Sequence, residues 1–329
     1  HRAPGYPLAV ASAPSTATLD SDPYGPAGRS AWLDVDWVEH QRWLKLDDRW
    51  VNVIDIGEGP PVVFLHGLSG CWQNWLENLP YFARDHRVIA FDLPGFGESE
   101  MPREPISVTG YARTVASVLD ALEIDAATIV GNSMGGFVAA ELAIRLPGRV
   151  HRLCLVSAAG LSMEYIRSER QRGWRQRLEN ILFFSLAYLA VRTDIVVRRP
   201  RLRQLLLSLV TAHPERLPSA LLAEQVHNSG KPPGFDAALE AMTRYPIRDR
   251  LGEIAAPTLI VWGADDRLVP VGDATEFEWL IPEARKLLYP DTGHMVMLER
   301  PGRFNADLRA FLDETFAPPL ARAWAHLPQ

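Results

Sequence analysis

The chain has 329 residues, 47% of them hydrophobic and 22% charged, with 23 Gly and 26 Pro. That length suits one large domain or a domain carrying an insertion, because single cores stop growing at about 250–300 residues, and the composition is that of a globular protein with a sizeable core. A formal net charge of −6 argues against general nucleic-acid binding, which needs a basic face, and Cys71 and Cys154, the only cysteines, make neither a disulfide framework nor a metal cluster and read as reduced thiols.

Residues 1–30 are rich in Ala, Pro, Ser and Gly without periodicity and read as a flexible or surface-draped N-terminal arm. The chain starts with His1, which suggests a fragment or a processed end. Leu8–Ala13 resembles the tail of a signal peptide without a longer apolar region before it, which leaves a removed signal open; the location expected is cytoplasmic. From residue 31 the pattern becomes regular. Arg42–Leu46, Trp50–Ile56 and Val62–Leu65 are short apolar runs separated by turn residues and predict strands, the first two as a hairpin. Strand-like and helical runs then alternate: a strand at Arg87–Phe91, a helix over Val108–Leu122, a strand at Ala127–Val130, a helix over Met134–Leu146 and a strand at Leu153–Val156. Such alternation predicts an α/β fold with a mostly parallel central sheet and helices on both faces.

The alternation stops after Gly160. Residues 161–245 read as consecutive helices, with thirteen Lys and Arg against eight acids, before a strand at Pro257–Trp262 resumes the sheet. A helix near Ala274–Leu280, a strand at Lys286–Tyr289 and a helix around Phe304–Phe316 follow, and 317–329 reads as a C-terminal tail. The core is thus expected over 31–160 and 246–316. The longest apolar run, Ile181–Val191 with Ser185 included, is shorter than the about 20 residues a membrane-spanning helix needs.

Four places carry chemistry. Gly131-Asn132-Ser133-Met134-Gly135 sets a serine between a strand and a helix with glycines two residues away on each side. A turn that sharp needs Gly131 and Gly135, because a Cβ at either would strike neighbouring backbone, and it pushes the serine into the open as a nucleophile. Chance alone gives about 0.1 such matches in a chain of this length. His66-Gly67-Leu68 follows a strand; the backbone N–H groups of Leu68 and Met134 are the expected oxyanion donors, each worth about 3 kcal/mol in a transition state. His66 itself reads as structural, ordering its loop by hydrogen bonds. His294, in a loop after the last strand, is the expected general base. Asp265 and Asp266 both follow the strand Pro257–Trp262, and spacing alone does not choose between them as the acid that orients the histidine.

The elbow, the His66-Gly67 loop, the segment Asp92–Ser99, the Gly-x-x-Asp-x-x-x-Pro pattern at Gly263, Asp266 and Pro270, and Gly293-His294 together resemble the α/β-hydrolase superfamily, in its serine-nucleophile, esterase or lipase-like branch. The resemblance covers about 40–160 and 246–316. It implies that Asp266 is the acid and that 161–245 form a helical cap, or lid, over the active site. Relatives with Asp in place of the elbow serine are dehalogenases or epoxide hydrolases, and Ser133 argues against both.

Ser133, His294 and Asp266 then imply acyl transfer to water, with no metal or organic cofactor required. Apolar runs in the cap, Ile181–Phe184 and Leu205–Leu207, read equally as helix packing within the cap or as the lining of a pocket for an apolar acyl or alkyl group, and the second suits a small to medium hydrophobic ester as substrate. The cap arginines read first as a solvated face, though they leave room for attracting anionic substrates or a membrane surface in peripheral contact. Two other classes share these residues. The elbow Gly131–Gly136 also resembles that of C–C bond hydrolases acting on meta-cleavage products, which commonly carry Trp after the histidine where this chain has Met295. Slow-turnover small-molecule receptors of the same fold are the third.

Overall fold

The computed structural model describes residues 22–163, 207–228 and 232–315. Eight strands form one sheet in the order β1-β2-β4-β3-β5-β6-β7-β8: β1 Gln41–Leu46, β2 Arg49–Ile56, β3 Pro61–Leu65, β4 Arg87–Phe91, β5 Ala127–Asn132, β6 Val150–Val156, β7 Thr258–Gly263 and β8 Ala284–Tyr289. β1 and β2 form the expected hairpin, and β2 pairs antiparallel with β4; every other pairing is parallel. All eight strands match runs read from sequence. The largest boundary shifts, at Val150–Arg152, Gly131–Asn132 and Ala284–Arg285, fall where a strand carries polar residues or glycine, because apolar content was the signal used.

Strand residues alternate between two cores. Val63, Leu65, Ile129, Leu155, Ile260 and Trp262 face one layer, shared with the helices Val108–Ala121, Met134–Arg145 and Val271–Leu280. Val62, Phe64, Val130, Val156, Leu259 and Val261 face the other, shared with Trp75, Phe82 and the helix Pro301–Asp313. Burial on both faces is why the parallel strands read as unbroken apolar runs. The helix Met134–Arg145 is buried from Met134 through Ile144, as expected of one apolar on nearly all sides.

Residues 22–30, in the stretch expected to be a flexible or surface-draped arm, lie against the rest of the chain. Tyr24, Ser30 and Trp32 are buried, and Gly25 N–H donates to the Glu299 carbonyl at 2.7 Å. The cause is the spaced aromatic residues, which bury apolar area that the surrounding Pro and Gly cannot. Of the expected cap, the described parts include the helices Ser219–Asn228 and Phe235–Arg244, both between β6 and β7. Ile181–Phe184 lie outside the described residues, as does the expected tail 317–329. No described helix is long and apolar enough to cross a membrane.

The Phe64 ring, fully buried on β3, lies 5.0 Å from Trp75 and 5.8 Å from Phe82 between centroids. Phe64→Ala should therefore cost about 3–5 kcal/mol in a denaturant titration.

Candidate active site

The C-terminal ends of the parallel strands deliver the site. β5 ends at Asn132, and Ser133 follows with φ 54° and ψ −116°, a left-handed backbone that non-glycine residues adopt only when their surroundings force it. The forcing groups are on view. Ser133 N–H donates to Val156 O at 3.0 Å, and its carbonyl accepts from Phe137 at 3.1 Å and Ala159 at 3.0 Å. A Cβ on Gly131 would run into the Gly135 carbonyl, and one on Gly135 into the carbonyls of Leu65 and His66. The helix can start that close to β3 only because those positions are glycine.

Beyond β3, His66 is fully buried. Its Nδ1 lies 2.8 Å from the Gly67 carbonyl, and its Nε2 accepts from Leu93 N–H at 2.9 Å. Those partners require a neutral ring with the proton on Nδ1. Burial pushes its pKa down to about 4. The structural reading of His66 is thus the one its contacts match. Nearby, Asp92 accepts from Trp72 N–H at 2.8 Å, Asn52 at 2.9 Å and Glu98 N–H at 3.0 Å, tying the Asp92–Ser99 segment to β2 and to the loop after β3. Burial pushes its carboxyl up to about 6 against those hydrogen bonds. Among the described residues no partner is found for the backbone N–H of Leu68 or Met134.

After β7, Asp266 accepts from Leu268 N–H at 2.8 Å and Val269 N–H at 2.9 Å on Oδ1, which leaves Oδ2 to meet His294 Nδ1 at 2.8 Å. Both side chains are buried. Asp265 is exposed, so the pairing that spacing left open falls to Asp266. Gly263 permits it, since a Cβ there would strike the carbonyls of Thr292 and Gly293 in the histidine loop.

Ser133 and His294 line one pocket together with Leu68, and the rest of its wall is mostly apolar: Met163, Leu207, Val210, Leu217, Leu221, Leu222, Phe235, Met242, Leu268, Val269, Met295 and Leu298. Leu207 belongs to a run read either as this wall or as cap packing, and its neighbours Leu205 and Leu206 lie outside the described residues. None of the described lining residues is Lys, Arg, Asp or Glu. The polar lining includes Asn74 and Gln225, whose amides bond at 2.6 Å and which no sequence signal singled out. No group of His, Cys, Asp and Glu able to hold a metal occurs among the described residues. Cys71 and Cys154 are buried and unpaired.

A model of the alpha/beta hydrolase fold matches residues 60–301. The chain belongs to the α/β-hydrolase family. It is 31% identical over 274 residues to 2-hydroxy-6-oxo-6-phenylhexa-2,4-dienoate hydrolase of Comamonas testosteroni, covering 79% of this chain and 90% of that protein. It is also 32% identical over 273 residues to the dihydrolipoyllysine-residue acetyltransferase component of the acetoin cleaving system of Pseudomonas putida, covering 80% of this chain but only 66% of that longer protein. Among solved structures, a membrane phospholipase A described as a bacterial virulence factor superposes with a TM-score of 0.65 at 28% identity, over 86% of this chain and 90% of the other.

A pH-dependent consequence follows from His66. Its folded pKa lies below the ordinary 6.5, so its contribution to stability is complete above that value and is lost as pH falls toward 4. Asp92, shifted upward, acts oppositely between about 6 and 3.8 and masks the loss in the parent chain. The stability advantage of the parent over His66→Asn should therefore shrink by about 3 kcal/mol between pH 6.5 and 4, since each unit is worth about 1.4 kcal/mol. Paired urea titrations across that range measure it.

Proposed function

We propose that the protein is a serine hydrolase that cleaves carboxylic esters of small to medium apolar substrates through an acyl-enzyme on Ser133. The observation that carries this reading is the pocket beside Ser133, apolar over most of its described wall and without an ionic residue there, which suits a neutral acyl or alkyl group. His294 Nδ1–H is committed to Asp266 Oδ2, so Nε2 is left to take the Ser133 proton. Ser133 Oγ attacks the carbonyl carbon, and the imidazolium that forms is paired with the buried Asp266 carboxylate. His294 then passes the proton to the departing alkoxide. Water, deprotonated by His294, releases the acid and restores Ser133. The Leu68 and Met134 N–H groups are assigned to the developing oxyanion, Met134 at the positive end of its helix.

Relatedness favours a second reading. Several curated relatives are C–C bond hydrolases of meta-cleavage products, matched over about nine-tenths of their length, and by sequence likeness alone this reading has the better support. The substrate named for the Comamonas testosteroni relative is a dienoate, and a carboxylate in an apolar pocket needs a cationic partner. The described lining offers none besides a protonated His294, which is the reason the ester is preferred here.

The test is turnover of p-nitrophenyl esters from acetate to laurate, beside 2-hydroxy-6-oxo-6-phenylhexa-2,4-dienoate, by the parent chain, Ser133→Ala and Asp266→Asn. Ester turnover should fall to background in Ser133→Ala and by about 10⁴-fold in Asp266→Asn, whose amide no longer holds the productive tautomer. Dienoate cleavage faster than every ester replaces the ester reading with C–C hydrolysis. Inactivity on both overturns hydrolysis of either kind.

A further inference from the structure

Glu299, fully buried at the end of the short helix Val296–Glu299, joins three separate parts of the chain. Its Oε2 accepts the Tyr24 hydroxyl at 2.6 Å and the N–H groups of Ala212 and Gly293, each at 2.8 Å. Its Oε1 accepts Met295 N–H at 3.1 Å. Gly293 and Met295 flank His294. The N–H of His294 itself, and that of Met295 again, donate to the Val210 carbonyl at 3.1 Å. Three successive backbone donors around the proposed base are therefore satisfied by one carboxylate and one carbonyl, with no strand or helix ladder to hold them.

The direction of the tyrosine bond is determined. Tyr24 Oη accepts His213 N–H at 2.8 Å, so its own proton goes to Glu299. Every partner of Glu299 is a donor toward it, the pattern of an anion, and hydrogen bonds to a charged group are the strong ones. The segment bearing Tyr24 is fastened around this bond. Arg300 Nη1 donates to the Asp22 carbonyl at 2.8 Å, and the guanidinium carbons of Arg216 and Arg300 lie 4.6 and 4.9 Å from the centre of the Tyr24 ring.

We propose that Tyr24, acting through Glu299, is a positioning residue for His294. The inference rests on the reading of Ser133 as nucleophile and His294 as base. A misplacement of about 1 Å in a reacting group can cost about 10²-fold in rate. Loss of the hydroxyl donor frees Glu299 to shift, and with it both neighbours of His294. Tyr24 is not among the residues lining the pocket, so substrate binding should be spared.

The experiment measures phosphonylation of Ser133 by an alkyl fluorophosphonate, which reports the activated serine whichever bond the natural substrate presents, together with kcat and KM for p-nitrophenyl butyrate. Tyr24→Phe keeps the ring against the two guanidinium groups and removes only the hydroxyl. It should lower the phosphonylation rate and kcat about tenfold while KM stays within twofold, and Glu299→Gln should lower them at least as far. Amide hydrogen exchange of a peptide spanning 290–298 should quicken in both variants. Trp32→Phe is the matched control: it removes the 2.8 Å bond from Trp32 Nε1 to Glu77 in the same N-terminal stretch and should react like the parent. Failure of the parent to react at Ser133 overturns the reading of the site, and this inference with it. A reactive parent with Tyr24→Phe within twofold of it, or with Trp32→Phe equally slowed, overturns the positioning role alone.

Discussion

The left-handed backbone at Ser133 is the constraint on which the rest of the site depends. Such a conformation costs about 1–3 kcal/mol and persists only where neighbours over-determine it. Here the N–H is anchored to β6 and the carbonyl to two further donors. Bringing those groups together requires that the helix from Met134 approach β3 within contact of bare glycine, and that β3, β5 and β6 be neighbours in a parallel sheet. The doubly covered sheet holds the elbow, and the two apolar cores supply the stability that the strain offsets.

The opposite side of the site is built differently. His294 sits in a loop, and its position comes from the Asp266 side chain, the Val210 carbonyl, the Glu299 carboxylate and the Asn132 amide, which donates to the His294 carbonyl at 3.4 Å. Two of the tying segments, around Tyr24 and around Ala212, lie outside the regular sheet pattern. A rigid elbow thus faces a histidine whose placement depends on chain far away in sequence. The same inserted segment that ties the loop also supplies much of the apolar pocket wall.

The reading of Asp92 shows how a motif can be legible without its role. The segment Asp92–Ser99 marked the family, yet nothing in its spacing says that the carboxylate gathers donors from β2, the loop after β3 and its own turn. His66 went the other way: a histidine beside a glycine turn suggested a structural role, and its two satisfied nitrogens match that suggestion.

By itself the sequence determined the α/β sheet and the elbow. Strands buried on both faces read as apolar runs, and a serine between close-packed glycines has few other uses. It also placed His294 after the last strand. Spacing alone did not choose Asp266 over Asp265 and the family pattern pointed to Asp266; only the tertiary structure sets its Oδ2 2.8 Å from His294 Nδ1, because adjacent residues differ in direction and not in spacing. The Tyr24–Glu299 contact needed it too. Its partners are 275 residues apart, and a single hydrogen bond between such distant residues leaves no periodicity or spacing in the chain by which it can be read.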